Sequence, residues 1–197
     1  MTINSWYSNV PVEIAKGGTN ANAMATANGI IKYDGTRLVT SATALIDAGN
    51  RYTNSSQPAF LAYATPQVNV IGDGTGYNII FANALVNQGA SFDGVSTFTA
   101  PKTGTYLLGT TISLGYAFVV GNNEFDLSIA TTSSGVFRLD TCNVYTCSSA
   151  FSYYKSANST LVYMTAGQTA RVNVFISGAA KTISILGDST FWGYLVC

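Results

Sequence analysis

From about Gln57 onward, apolar and polar residues alternate over short stretches, and Gly, Pro and Asn punctuate the gaps between them. Side chains on a strand point alternately to its two faces, so this pattern predicts a succession of half-buried strands. No long stretch after Gln57 repeats with the helical period. The clearest strand is Thr105–Tyr116, with Tyr106, Leu108, Ile112, Leu114 and Tyr116 on one face and Gly109, Thr111, Ser113 and Gly115 on the other. Phe125, Leu127 and Ile129 share a face in the next strand, and Val172, Val174 and Ile176 in a later one, while Asp126, Ser128, Arg171 and Asn173 point away.

Turn signals separate these strands: FDGVS at 92–96, APKTG at 100–104, TAGQ at 165–168, SGAAK at 177–181 and GDST at 187–190. Strands at this spacing predict an all-β sandwich or barrel. Two antiparallel sheets closed into a jelly roll hide most strand edges, and burial of one face per strand drives the collapse at about 25 cal/mol per Å² of apolar surface. The 197 residues accommodate one such domain and a short additional segment, but no second large domain.

Only 9% of the chain is charged, against about 25% in a typical soluble protein. Ser, Thr, Asn and Gly can cover part of such a surface; burial against other subunits is the economical way to cover the rest, because obligate interfaces are large and apolar. The formal net charge is zero and no Lys/Arg cluster occurs, which argues against nucleic acid as a ligand. No apolar run reaches the length of a membrane span, and MTINSWYSNV lacks the basic start and apolar core of a signal peptide. The expectation is a soluble chain made inside a cell, with no membrane insertion.

The chain contains no histidine, which removes the commonest general base, the Ser-His-Asp and Cys-His arrangements and the commonest zinc ligand. Glu124 and Asp126 share one strand face, a pairing better explained as a solvated face than as a catalytic couple. Asp73 and Asp188 stand in GDGTG and GDST, where aspartate serves tight turns; a calcium site is the less favoured reading. GDGTG lacks the Lys-Ser/Thr ending of a phosphate loop, and no helix is expected after it. No catalytic residue, metal or cofactor is expected. The three cysteines, Cys142, Cys147 and Cys197, do not form a dense disulfide framework, although a Cys142–Cys147 bridge across one loop fits the spacing.

Residues 1–54 differ from the rest, being rich in Ala, Asn, Thr and Gly, with one hairpin expected over Gly29–Val39 around Asp34-Gly35. A core of useful size is hard to find there, so this segment is expected to order by intertwining with its own copies or by docking on a larger body. It reads as a stem or attachment segment, and residues 55–197 as the head.

The stretch ANALVNQGASFDGVSTFTAPKTGTYLLGTTISL at 82–114 resembles the C1q signature, carried by Phe92, Phe98, Pro101, Gly104 and Tyr106. LVYMTAGQTARVNVFISG at 161–178 and GDSTFWGYLVC at 187–197 are similar to that family's last three strands, through Ala166-Gly167-Gln168 and Phe191-Trp192-Gly193-Tyr194-Leu195. The resemblance covers roughly residues 58–197 and is weak over 131–160. It implies a C1q/TNF-like jelly roll that assembles as a homotrimer around an apolar threefold contact, with exposed loops used for binding. The segment at 10–40, with Gly17-Gly18-Thr19 at its centre, resembles the Gly-Gly-Thr segments of bacteriophage tail fibres. Collagen-type Gly-x-y repeats are absent.

These resemblances together imply a virion appendage, a phage tail fibre or spike, assembled in the host cytoplasm. Residues 1–54 would dock on other virion proteins and the head would bind a host-surface glycan or protein. The alternatives are a capsid or neck decoration that recognises no host, and a cellular C1q-like lectin. The receptor-binding candidates lie in the least family-like segment, 141–158: Tyr145, Phe151, Tyr153, Tyr154 and Lys155, a mix that can stack on sugars and hydrogen-bond hydroxyls. The same aromatics could form one core strand with Phe151 and Tyr153 facing inward. Phe118, Phe175, Trp192 and Tyr194 are the candidates for the threefold contact.

Overall fold

The computed structural model describes residues 29–33, 36, 38–46, 52–115, 124–132, 135–143, 152–178 and 180–196. Every regular element among them is a strand. The chain divides into two compact units, Met1–Ser56 and Gln57–Cys197.

In the first unit, β1 (Gly29–Tyr33), β2 (Leu38–Ile46) and β3 (Tyr52–Asn54) form an antiparallel sheet in that order. The expected hairpin is present as β1 and β2, paired from Tyr33 opposite Leu38 to Gly29 opposite Leu45 with a bulge before Ile31. Its turn residues 34 and 35 lie outside the described residues, as do Gly17, Gly18 and Thr19. None of the described side chains in this unit is buried, and Ile31 and Ile46 are exposed.

The second unit contains β4 (Ala59–Tyr63), β5 (Gln67–Ile71), β6 (Tyr77–Asn78), β7 (Asn83–Gln88), β8 (Phe98–Thr99), β9 (Gly104–Gly115), β10 (Glu124–Thr131), β11 (Gly135–Asn143), β12 (Tyr153–Met164), β13 (Thr169–Ile176), β14 (Ile183–Ile185) and β15 (Thr190–Leu195). They build two sheets. In the larger, β9 is central: β12 runs antiparallel along its whole length on one edge, and β15 and β14 share the other edge. Beyond β15 come β4 and then β7, and beyond β14 comes β5. The smaller sheet has the order β11-β10-β13-β6, with β8 also against β13.

The core follows the alternation read from the sequence. Tyr106, Leu108, Ile112 and Leu114 of β9, Phe125, Leu127 and Ile129 of β10, and Val172, Val174 and Ile176 of β13 are all fully buried. Tyr116 lies outside the described residues. The aromatic residues of the C1q-like signature, Phe92, Phe98 and Tyr106, meet Phe60 and Phe191 in one cluster. Phe60 stacks on Phe92 at 5.3 Å and on Phe98 at 4.9 Å, and Phe191 meets Phe60 edge-on at 4.8 Å. Each such pair contributes about 0.5–1.5 kcal/mol beyond the area it buries. Tyr106 packs edge-on against Phe98, and its hydroxyl donates to the Lys102 carbonyl at 2.7 Å and accepts from the Lys102 amide at 3.3 Å. The Pro-x-x-Gly-x-Tyr spacing is thereby explained, since the tyrosine that fills the core also ties the turn that precedes its own strand.

Candidate functional site: an uncharged aromatic face on the larger sheet

Strand register places the outward residues of the larger sheet in rows. Leu161, Leu107, Tyr194 and Ala59 lie side by side across β12, β9, β15 and β4. The next row is Ser159, Gly109, Trp192 and Leu61, continued by Val86 of β7. A third is Ala157, Thr111, Thr190 and Tyr63. No residue of these rows is charged, and the apolar ones are open to solvent at the margins: Leu161 is 59% exposed and Tyr194 41%, and Tyr163, beyond Leu161 on the same face of β12 and opposite Thr105, is 62% exposed. An uncharged face of this kind, with apolar side chains exposed at its margins, has the composition of an interface core, where charge is depleted.

Two glycines shape the face. A Cβ at Gly109 would stand 2.2 Å from Trp192 Cζ2 and 2.5 Å from Cε2, so the indole lies directly over the backbone of β9 and covers it. Gly193, one residue along, faces inward, where a Cβ would stand 2.5 Å from Leu108 Cδ2 and 2.9 Å from Phe60 Cε1. The sequence Trp192-Gly193-Tyr194 therefore presents two aromatics outward while giving the core aromatics room within.

One end of this face carries a polar cluster. Asp188 Oδ2 accepts from Ser113 Oγ at 2.8 Å, Lys155 Nζ at 3.0 Å and the Tyr153 hydroxyl at 3.2 Å. Ser189, fully buried beside it, accepts the Ser113 amide through Oγ at 3.0 Å. The GDST turn thus clamps β9, β12 and β15 together. Burial raises the Asp188 carboxyl, but hydrogen bonds from Lys155, Ser113 and Tyr153 and the Lys155 charge outweigh it and hold the group below its ordinary value. Its partner Lys155 is raised, chiefly by that same hydrogen bond.

The residues singled out in the sequence divide among several places. Tyr153 and Lys155 stand together on the outer face with Asp188. Tyr154 turns the other way: its ring meets Phe125 edge-on at 5.1 Å, and its hydroxyl donates to Asp140 Oδ2 at 2.9 Å. The parity of this strand is therefore opposite to the inward-facing alternative, which put Tyr153 in the core. Tyr145, Phe151, Phe118, Cys147 and Cys197 lie outside the described residues. Trp192 and Tyr194 share the uncharged face, whereas Phe175 is on the outer face of the smaller sheet, opposite Asp126, and is not part of it. Leu61, Val86, Leu107, Leu161 and Tyr163 belong to the uncharged face and were not singled out. Their signal is the same alternation, read on the side away from the core.

Asp73 has the turn role expected of it, accepting from the Thr75 amide at 3.1 Å and the Thr75 hydroxyl at 2.6 Å. Among the described residues no three His, Cys, Asp or Glu side chains gather as a metal site.

No family model matches the sequence, and no curated protein matches it. Among solved structures, the globular domain of zebrafish complement 1qA protein superposes with a TM-score of 0.52 at 16% identity, covering 71% of this chain and 98% of that one. Murine APRIL crystallised at pH 8.0 gives 0.48 at 14% identity, and at pH 8.5 0.48 at 13%, each with coverage of 71% and 98%. The second unit has a C1q-like jelly-roll fold.

Proposed function

We propose that this chain is the trimeric head of a virion appendage, a phage tail fibre or spike, and that the head recognises a host surface while residues 1–54 attach it to other virion proteins. The observation that carries the trimer is the uncharged face around Trp192 and Tyr194, whose natural occupant is the same face of further copies. The C1q-like fold agrees with a threefold arrangement. The first unit, with no buried side chain among its described residues, fits a segment that gains its core from a partner. The virion reading itself is supported by the Gly-Gly-Thr resemblance of the sequence at 10–40. The histidine-free composition supports a binding module in preference to an enzyme.

The full chain, weighed by light scattering during size exclusion, should run at three times its monomer mass. It should also adsorb saturably to cells of a susceptible bacterium. A stable monomer refutes the trimer. A trimer that binds only virion proteins, and no cell in a bacterial panel, establishes the decoration alternative in place of the receptor-binding role.

A further inference from the structure

The outer face of the smaller sheet has the opposite character. A groove of about 540 Å³ runs along it, lined by Glu124, Asp126, Ser128 and Ala130 of β10, by Val136 and Arg138 of β11 and by Asn173 and Phe175 of β13. Its floor follows from the sequence: the middle strand offers small side chains, Ser128 and Ala130, where its neighbours carry Arg138, Val136 and Asn173 in register. Its volume falls in the usual range of small-ligand sites, about 300–1,000 Å³.

Three of the lining groups, Asp126, Arg138 and Asn173, have ionic or hydrogen-bonding partners in the fold. Arg138 Nε lies 3.1 Å from Asp126 Oδ2, and the Asp126 side chain is only 13% exposed. Burial raises its carboxyl, the Arg138 charge pulls it down and the Glu124 charge raises it again. Asn173 Nδ2 donates to Asn78 Oδ1 at 3.3 Å, and the absence of a side chain at Gly76 leaves room for the Asn173 amide, which a Cβ there would approach to 3.2 Å. Phe175 is half-buried beside Asp126, so the groove combines one aromatic ring with planar acceptors and donors.

We infer that this groove binds a saccharide, with Phe175 against the apolar face of one sugar ring and Asp126, Arg138 and Asn173 hydrogen-bonded to its hydroxyls. The chemistry selects this class. Two carboxylates against one guanidinium, itself paired, disfavour phosphate and other anions. The polar walls leave an aliphatic ligand with unpaired groups around it. A sugar ring offers the combination that suits an aromatic ring beside both donors and acceptors: an apolar face for stacking, and neighbouring hydroxyls that both donate and accept for paired planar side chains. For its biological use this inference rests on the reading of the head as a recognition module; its chemistry rests on the groove alone.

Saturation-transfer NMR tests it, using the full chain and the methyl glycosides of glucose, galactose, mannose and N-acetylglucosamine. At least one glycoside should receive saturation, with about tenfold weaker binding in Phe175→Ala and in Asp126→Asn, and binding retained in Val68→Ala, an exposed position of β5 outside the groove. Thermal melting identifies any variant that fails to fold; Asp126→Asn, nearly isosteric, carries the test if Phe175→Ala does fail. Transfer to none of the four sugars, or transfer that folded Phe175→Ala and Asp126→Asn leave unchanged, overturns the inference. Cell adsorption is read separately. Sugar binding without adsorption sinks the host-recognition reading and leaves the groove, whereas adsorption without sugar binding does the reverse.

Discussion

Gly109 and Gly193 are neighbours in the larger sheet, with Gly109 under Trp192 on the outside and Gly193 against Phe60 and Leu108 on the inside. Alanine at each should therefore cause two different failures. In Gly109→Ala the new methyl would stand 2.2 Å from Trp192 Cζ2. Carbon atoms settle at about 3.5–4.0 Å, so the indole edge must retreat by at least about 1.3 Å. It can do so by swinging outward, because solvent lies beyond it, and the fold should lose no more than about 1 kcal/mol. The outer face, however, loses its flat tryptophan. Truncating such an anchor costs about 2 kcal/mol or more per contact, and with three contacts in the proposed trimer, whose midpoint concentration varies as the square root of its dissociation constant, that concentration should rise about a hundredfold or more. In Gly193→Ala the obstacles include the Leu107 carbonyl oxygen at 3.0 Å as well as Leu108 and Phe60, none of which can leave the core. The expected cost is about 1–3 kcal/mol of folding stability. Light scattering across a dilution series, with thermal melting on the same samples, separates the two effects. A Gly109→Ala chain that holds three-chain mass over the same concentrations as the parent would refute the assignment of this face to assembly.

Asp93 Oδ1 accepts the amides of Val95, Ser96 and Thr97 at 2.8, 2.8 and 2.9 Å, so Asp93→Ala should lower stability by about 1–2 kcal/mol, or about 2–8 °C in melting temperature. An unchanged melting curve would show that solvent replaces the carboxylate without loss. Tyr106→Phe keeps the ring in the core but leaves the Lys102 carbonyl without its 2.7 Å donor, and should cost about 1–2 kcal/mol in denaturant unfolding with an unaltered m-value. Acid should destabilise the head, because Asp73, Asp93 and Asp188 are all held below their ordinary value of 3.8 in the folded chain. The stability they contribute is present above that value and is lost as pH falls through their lower folded values. Asp126 is raised and works in the opposite sense, being favoured by protonation. Melting temperature against pH should fall from about pH 4 downward, and Asp188→Asn should remove part of that slope.

Period two was enough to place the core of β9, β10 and β13, because each strand has one apolar and one polar face and register errors would expose every large side chain at once. The aromatic cluster was legible for a different reason: Phe92, Phe98, Tyr106 and Phe191 stand at the spacings of a known signature, and the contacts among them supply its physical basis. Phe60 and Phe81, which join the same cluster, carried no motif of their own. Parity failed to settle β12, where Tyr153 and Tyr154 offer an aromatic to either face. What decides it is the pairing of Tyr153 opposite Gly115 and Tyr154 opposite Leu114, which puts Tyr154 on the core side with Leu114. That choice depends on long-range register and has no local signal.

The proposed division between an assembly face and a recognition face would likewise be a property of which strands share a sheet. Phe175 and Trp192 look equivalent in the sequence, each an outward aromatic beside a run of core residues. In the fold Trp192 is flanked by Gly109 and Leu61, and Phe175 by Asp126. An apolar neighbourhood lets one aromatic be covered by a second copy without stranding a charge, whereas a carboxylate beside the other would cost several kcal/mol to bury unpaired. The same residue type is thereby suited to permanent burial on one sheet and to a hydrated, hydroxyl-rich partner on the other. The low charge of the chain is concentrated in its effect: Glu124, Asp126, Arg138 and Arg171 keep the smaller sheet's outer face open, and their absence from the rows of the larger sheet leaves that face free to close.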